Sequence, residues 1–376
     1  MKIGIVGRWD PKDKKSWSGT GYYTRREISK YYEVEDFYFP LPRWLREWLT
    51  TQKSINRRWF GKHTAVEFLT SYARYFSNAL DKALEKRPVD LLFVLSSPQL
   101  IAYSKTKLPL IQVNDATFFQ LQGYYPYFSN LANYNIKCGI DMDKLTYLRA
   151  DHSMLASEWC RQSAITDYGV DPAKISVVPL GANLDTEPDA SLAAQPRGAI
   201  CKLLFLGVEW DRKGGDIALE TYRLLKAKGL PVTLTIIGCT PPVPVDEGVT
   251  VIPFINKNDP KEAAELFTLL AGSSFLLLPT RAECAGLVFC EAAAFGIPSI
   301  TTDTGGVRTY VTEGINGFAL PLSAGPADYA GRIENCWNDA AGYEELRRNS
   351  RRQYEEQLNW IKWGQRFAAI ATGLIH

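Results

Sequence analysis

Short runs of β-branched and aliphatic residues recur along the chain, separated by polar or helix-forming stretches. Such near-continuous apolar runs are typical of parallel strands that helices cover on both faces. The pattern predicts two successive groups of strands. The first group is predicted at residues 2–7, 34–40, 89–95, 109–114, 152–157 and 175–181. The second is predicted at residues 202–208, 232–238, 249–255, 274–279 and 298–303, with helix from 325 onwards.

A stretch without periodicity separates the two groups. Residues 185–198 read DTEPDASLAAQPRG, and Pro, Gly and acidic residues of this kind are typical of a linker. We expect a first domain at 1–184, a linker at 185–199, a second domain at 200–355 and a final helix at 356–376 that crosses back to the first domain. The fold class is therefore α/β, with two doubly wound parallel sheets that face a common cleft.

Composition agrees with a folded two-domain protein, since the chain has 376 residues, of which 46% are hydrophobic and 22% charged. The formal net charge of +2 gives no electrostatic reason to expect nucleic acid as a partner. Seven cysteines without a CxxC pair favour a reducing compartment, and three separated histidines argue against a zinc site. The start MKIGIVGRWD lacks a signal-peptide pattern. We expect a cytoplasmic location.

The most informative stretch is TRAECAGLVFCEAAAFGIP at residues 280–298, which follows the apolar run FLLLP. A helix that starts near Gly286 would present free N–H groups and the positive end of its dipole to an anion such as a diphosphate. Glu283 would lie in the loop before this helix and Glu291 inside it. Each carboxylate can accept hydrogen bonds from a sugar or ribose diol. A helix start with ordinary acidic residues would show the same letters.

Two further loops follow the first strand of each group. The segment EWDRKGGD places Arg212 and Lys213 where a departing diphosphate would need positive charge, although a solvated basic turn has the same pattern. Gly19, Thr20 and Gly21 precede the first helix, and small residues there allow a phosphate or sugar to approach the backbone. A plain turn would also contain them.

Taken together, these loops resemble the retaining glycosyltransferases of GT-B type, in family 4 (glycosyl transferase group 1). The ordered motifs run along nearly the whole chain and include the RKGG loop, the E-x7-E element and GGVRTYVTEGINGFALP. The segments DATF (115–118) and GCTPPVP (238–244) indicate one branch of that family. The resemblance implies a metal-independent transfer of a sugar from a nucleotide-diphosphate sugar, UDP rather than GDP, to a hydroxyl on a glycan, lipid or small molecule. It implies no other cofactor and no metal ligands.

The resemblance also assigns residues. It implies catalytic roles for Glu283, Lys213, Arg212 and Asp115, and acceptor contacts from Asn114 and Asp115. It implies that the donor is bound by Gly19, Thr20, Gly21, Gly207, Arg212, Lys213, Phe254, Ile255, Glu283, Cys284, Ala285, Gly286, Leu287, Val288 and Glu291.

Several positions depart from the common family pattern. Cys284-Ala285 stands where many members have a Phe, and Asn114-Asp115 where many have a His. Val208 and Glu209 follow Gly207 in place of a basic residue, whose charge Arg212 would replace. Two alternatives therefore stay open. One is a nucleotide-sugar epimerase on the same architecture, which the scarcity of histidine disfavours, and the other is a sugar-binding protein without turnover.

Residues 41–63, LPRWLREWLTTQKSINRRWFGKH, mix aromatic with basic side chains. This mixture suits an amphipathic element that lies on an anionic membrane, at the inner face, or grips an acceptor glycan. The alternative interpretation is a helix that packs Trp44 and Trp48 on its own domain while its arginines extend to solvent.

Overall fold

A computed structural model describes residues 1–14 and 16–375. The chain divides into two units, of which the first contains Met1–Val178 and Trp363–His376 and the second contains Pro179–Lys362. Each unit is built on one sheet of six parallel strands. Two doubly wound α/β sheets of this kind were predicted from the sequence, and the structure confirms that fold class.

The sheet of the first unit has the strand order β2-β1-β3-β4-β5-β6. Strand β1, next to the edge strand β2, pairs with both β2 and β3, and the side chains of Ile3, Ile5 and Val6 in β1 are fully buried. The strands are β1 (Lys2–Gly7), β2 (Glu33–Phe37), β3 (Leu91–Leu95), β4 (Leu110–Asn114), β5 (His152–Leu155) and β6 (Ile175–Val177). The helices are α1 (Thr20–Ile28), α2 (Arg43–Phe60), α3 (Thr70–Lys86), α4 (Pro98–Ile101), α5 (Phe118–Leu121), α6 (Asn133–Arg149) and α7 (Glu158–Thr166).

The sheet of the second unit has the strand order β12-β11-β10-β7-β8-β9. The order reverses between β7 and β10, and such a switch point is where open α/β sheets bind ligands. The strands are β7 (Cys201–Leu206), β8 (Val232–Ile237), β9 (Val249–Ile252), β10 (Phe275–Leu278), β11 (Ser299–Thr302) and β12 (Gly317–Leu320). The helices are α8 (Trp210–Lys213), α9 (Gly215–Ala227), α10 (Pro260–Ala271), α11 (Leu287–Ala294), α12 (Pro326–Asn338), α13 (Ala340–Glu356) and α14 (Trp360–Ile375).

The edge strand β12 was not predicted from the sequence. It reads GFAL, so it is short and begins with a glycine, a residue that strands usually avoid. The structure shows why glycine stands there, because a Cβ on Gly317 would collide with the carbonyl oxygen of Ser299 in the neighbouring strand β11. Close backbone approach at a sheet edge is a tertiary feature, and the local pattern carries no sign of it.

Residues 185–199, expected as a linker, belong to the second unit. They contain the 3₁₀ helix Ala190–Ala194, which lies against α13. Arg347 of α13 donates a hydrogen bond to the carbonyl oxygen of Leu192 at 2.7 Å, and Arg351 donates one to that of Pro188 at 2.8 Å. These arginines anchor the backbone of a segment whose composition alone is typical of a flexible linker.

The chain passes from the second unit into the first within α14. Trp360 at its start donates from Nε1 to Asn183 Oδ1 at 3.0 Å in the second unit. Trp363, one turn later, is fully buried in the first unit, with its ring centroid 5.7 Å from that of Phe93. Phe367 stacks on Trp363 at 5.8 Å, so the aromatic residues of α14 complete the core beside β3.

We predict that Trp363→Ala lowers the free energy of unfolding by about 3–5 kcal/mol, because it leaves a cavity next to Phe93 and Phe367. Denaturant unfolding measures this change. The matched control is Ile361→Ala in the same helix, whose side chain is 48% exposed and whose loss should cost no more than about 0.5 kcal/mol. Equal effects of the two changes would show that α14 does not contribute to the core in this way.

Candidate functional site

The candidate site of the second unit lies at the carboxyl ends of β7 and β10, the two strands that flank the switch point. Residues 207–214 follow β7, and residues 279–286 follow β10. Gly214 has a φ of +72°, and a Cβ there would collide with the carbonyl oxygen of Pro279. A Cβ on Gly207 would approach Lys213 Cγ to 2.8 Å. Glycine at both positions therefore allows the two loops and the Lys213 side chain to lie in direct contact.

An ion pair between Lys213 and Glu283 joins the two loops. Lys213 Nζ donates to Glu283 Oε2, and the two side chains are 11% and 8% exposed. Burying either charge alone is costly, and the opposite charge offsets much of that cost. The pair therefore holds a cation and a carboxylate together at the switch point, where the sequence predicted both.

Arg212 connects the same loops from the other side. Its guanidinium donates to the carbonyl oxygen of Ala282 at 2.9 Å and to Glu209 Oε1 at 2.9 Å. The hydrogen bond from Arg212 holds the pKa of Glu209 below its ordinary value. Arg281, in the second loop, forms a two-point ion pair with Asp216 at 2.7 and 2.9 Å. Arg212 thus positions the loop backbone as well as supplying charge.

The second loop leads into the N-terminus of α11. Gly286 is its N-cap and supplies no side-chain acceptor, so the positive end of the helix dipole carries no capping side chain. A Cβ on Gly286 would collide with the ring of Phe289. The neighbouring candidates are a buried Cys284, partly exposed side chains at Ala285 and Val288, and Leu287 as the first helical residue.

Glu291 lies inside α11 and forms a second ion pair. Its Oε1 accepts a hydrogen bond from Lys257 Nζ at 2.6 Å, and the Glu291 side chain is 4% exposed against 44% for Lys257. Lys257 belongs to the loop after β9, which also carries the 69% exposed Phe254 and the half-buried Ile255. The structure therefore places this loop beside the second carboxylate. Sequence reasoning expected the nucleobase near residues 254–257 but did not predict the contact between Lys257 and Glu291, since nothing in a separation of 34 residues indicates it.

In the first unit, the predicted residues lie at the carboxyl ends of β1 and β4. Gly19, with a φ of +89°, caps α1, and Thr20 and Gly21 begin that helix and are buried. Asn114 is the last residue of β4 and donates from its side chain to Gln112 Oε1 at 3.2 Å. Asp115 follows and is half-buried. The glycine loop and the Asn114-Asp115 pair follow different strands of the same sheet.

The DATF segment is held in place by hydrogen bonds. Thr117 and Gln120 form a capping box on α5, and Phe118 N donates to the carboxyl of Asp143 at 2.7 Å. Burial raises the pKa of Asp143 to about 7. These contacts fix the backbone that carries Asp115.

Sequence reasoning also missed a cluster next to β1. Arg8, directly after that strand, forms an ion pair with Glu67 at 2.7 Å, and the Tyr127 hydroxyl donates to the other oxygen of the same carboxylate at 2.8 Å. The position of Arg8 at a strand end was the available signal. Within residues 1–14 and 16–375, no group of three or more His, Cys, Asp or Glu side chains is arranged to hold a metal ion.

Comparison with known proteins gives a match to the second unit. Residues 201–339 match the family model of glycosyl transferases group 1. The chain is 27% identical over 231 residues to D-inositol 3-phosphate glycosyltransferase of Gordonia bronchialis, covering 56% of this chain and 50% of that protein. It is 28% identical over 218 residues to the same enzyme of Jonesia denitrificans, covering 52% and 50%. The chain thus spans about half the length of the curated relatives it matches.

Solved structures match the whole chain in fold. Sucrose-phosphate synthase from Thermosynechococcus elongatus has a TM-score of 0.72 at 16% identity, covering 99% of this chain and 98% of that one. Alr3699/HepE from Anabaena, solved in complex with UDP and glucose, has a TM-score of 0.65 at 14% identity, and both chains are fully covered. The architecture is therefore the GT-B fold of two Rossmann-like domains. The Lys213–Glu283 and Lys257–Glu291 ion pairs lie within the segment that matches the group 1 glycosyl transferases.

Proposed function

We propose that this protein is a retaining, metal-independent glycosyltransferase of family 4 that moves a sugar from a nucleotide-diphosphate sugar to a hydroxyl acceptor. The carrying observation is a pair of buried carboxylates, Glu283 and Glu291, which flank the N-terminus of α11 and are each paired with a lysine. The match of residues 201–339 to the group 1 family supports sugar transfer.

The ion pairs suggest how a donor binds. The diphosphate would compete with Glu283 for the ammonium of Lys213, and the N-terminus of α11 would add its dipole to the attraction. Glu283, released from Lys213, would be available to accept hydrogen bonds from the donor sugar. A buried carboxylate without a counter-charge is costly. Sugar hydroxyls can supply hydrogen bonds in place of the lysine.

The other end of the donor would lie at Glu291. A carboxylate can accept hydrogen bonds from both hydroxyls of a ribose. We place the nucleobase beside Phe254 and Ile255, in the loop that also holds Lys257. A UDP-sugar is the favoured donor, because a structural neighbour of the same fold was solved with UDP and glucose.

The resemblance to the retaining glycosyltransferases of family 4 implies the course of the reaction that we propose. The bond between the anomeric carbon and the diphosphate oxygen breaks first, and its electron pair leaves with the diphosphate. The acceptor hydroxyl forms the new bond on the same face, and a donor phosphate oxygen takes its proton. Lys213, Arg212 and the α11 N-terminus stabilise the charge that develops on the leaving group. Residues of the first unit, including Asn114 and Asp115, would recognise the acceptor, which we propose to be a hydroxyl of a glycan, lipid or small molecule.

We expect a UDP-sugar to raise the melting temperature of the protein, to donate its sugar to an acceptor and to yield a product with unchanged anomeric configuration, which NMR measures.

Lys213→Ala should lower turnover roughly 10²–10³-fold, the usual cost of losing one preorganised charge at a developing anion. The double variant Lys213→Ala/Glu283→Gln removes the buried charge that Lys213→Ala leaves without a partner, and its turnover should remain low. The control is Lys202→Met on an exposed position of β7. Full turnover of Lys213→Ala at saturating donor would remove the lysine from the mechanism, and stabilisation without transfer would favour the sugar-binding alternative.

The two carboxylates should differ in what they recognise. Glu291→Gln should weaken binding of UDP and UDP-sugar alike, by roughly tenfold to a hundredfold, because a hydrogen bond to a charged group is lost at the ribose. Glu283→Gln should weaken binding of the UDP-sugar without weakening that of UDP, because the diphosphate no longer competes with the carboxylate for Lys213. Calorimetric titration measures both, with the exposed Glu265→Gln in α10 as control. Equal losses of UDP affinity in the two variants would refute this division.

Activity should persist in excess EDTA, because the lysine, the arginine and the helix N-terminus supply the positive charge that a metal would otherwise provide. The measurement is initial rate before and after chelation and gel filtration. If the rate falls to background and manganese or magnesium restores it, the metal-independent mechanism is wrong.

A further inference from the structure

Helix α2 has an anchored face. Leu45 and Leu49 are 4% and 2% exposed and belong to the core cluster formed with α3 and β3. Pro42 precedes the helix, and Gly61, with a φ of +61°, ends it, while the next amide, Lys62 N, donates to the Asn56 carbonyl oxygen at 3.3 Å. The helix is therefore attached to the first unit along one side, and its other sides face outwards.

A stripe of large apolar side chains lies beside the anchored face. Trp44, Trp48, Ile55 and Trp59 are spaced four, seven and four residues apart, which places them in one row along a helix. They are 60%, 42%, 47% and 75% exposed, and Phe60 at the helix end is 69% exposed. Leu45 and Leu49 supply the buried contacts of the helix, whereas Trp44 packs edge-to-face on Tyr75 of α3, with ring centroids 5.6 Å apart, and stays largely exposed. We call these four aromatic side chains, together with Ile55, the aromatic stripe.

The rest of the outward surface is strongly basic. The helix carries five basic residues and one acidic residue, Glu47, which pairs with Arg43 at 3.0 Å. Among the described residues, no carboxylate lies within ion-pair distance of the remaining four, Arg46, Lys53, Arg57 and Arg58. A helix whose outward surface combines exposed aromatic side chains with uncompensated cations is complementary to a surface that is apolar below and anionic above.

We propose that α2 docks the protein onto an anionic lipid bilayer, with the aromatic stripe in the interfacial region and the basic side chains on the headgroups. Tryptophan and phenylalanine favour this depth, and basic residues gain from a negative surface potential. No described helix has both the length and the apolar character that crossing a bilayer requires. The helix would lie in the plane of the interface. This inference concerns α2 alone and holds whether or not the proposed transfer reaction is correct.

The test is co-sedimentation of the full chain with phosphatidylcholine vesicles, with and without an equal amount of phosphatidylglycerol. We expect binding to the anionic vesicles at roughly 0.01 M ionic strength and much weaker binding at 1 M, where the Debye length falls from about 30 Å to 3 Å. Binding to neutral vesicles should be weak under both conditions. Absence of binding to the anionic vesicles at low salt would overturn the proposal.

Two pairs of variants separate charge from apolar contact. Arg57→Gln/Arg58→Gln should lower the partition coefficient about 25-fold, since each basic side chain near such a surface contributes a factor of about five. Its control, Arg348→Gln/Arg352→Gln, removes the same charge from exposed positions of α13 and should change binding little. Trp59→Ala should lower partitioning about tenfold. Its control is Leu322→Ala, at a side chain 61% exposed in the second unit.

Melting temperature and UDP affinity are measured for every variant. Loss of vesicle binding in an α2 variant with both values unchanged supports the docking proposal. Failure of the wild-type chain to bind UDP would count against the proposed reaction but would leave the docking proposal unaffected. An equal loss of vesicle binding in Arg348→Gln/Arg352→Gln would show that the effect depends only on net charge, and this result would overturn the docking proposal. So would a concentration-dependent dimer that Trp59→Ala abolishes in the absence of vesicle binding, because the stripe would then be an interface between two copies of this chain.

Discussion

The free-energy cost of burying charged side chains is the constraint around which the candidate site of the second unit is organised. Lys213, Glu283 and Glu291 are all nearly removed from solvent, at the point where the strand order of the sheet reverses. Each carboxylate has an ammonium in contact, and such pairing offsets much of the cost of burial. An incoming diphosphate would exchange one of these partners for another. In the proposed donor complex, binding and stability would therefore be linked at the same side chains.

Close approach of the backbone makes that arrangement possible. The loops after β7 and β10 touch at Gly214 and Pro279, and Gly207 leaves room for the stem of Lys213. Larger residues at these glycines would separate the loops and with them the two charges. Arg212 reinforces the contact by donating to the Ala282 carbonyl oxygen. The positions that determine the electrostatics of the site thus include residues with no side chain at all.

The charged side chains of α2, in contrast, are not buried. Its four arginines and its one lysine stay in solvent, and its large aromatic residues are exposed with them. Leu45 and Leu49 are its buried side chains and attach the helix to the core along its inward face. The charges and aromatic side chains of α2 therefore meet solvent, whereas the carboxylates of the Lys213–Glu283 and Lys257–Glu291 ion pairs are buried with an internal partner.

Periodicity and strand spacing were sufficient to predict the α/β class and eleven of the strands, because burial on both faces leaves continuous apolar runs. The loops after β7 and β10 were also found from sequence, since their charged and small residues directly follow such runs. Sequence could not reveal Lys257 opposite Glu291, the Arg8–Glu67–Tyr127 cluster or strand β12. It also left open which face of α2 is buried. These depend on contacts between segments far apart in the chain, and only the tertiary structure decides which residues meet, because packing and not local propensity brings them together.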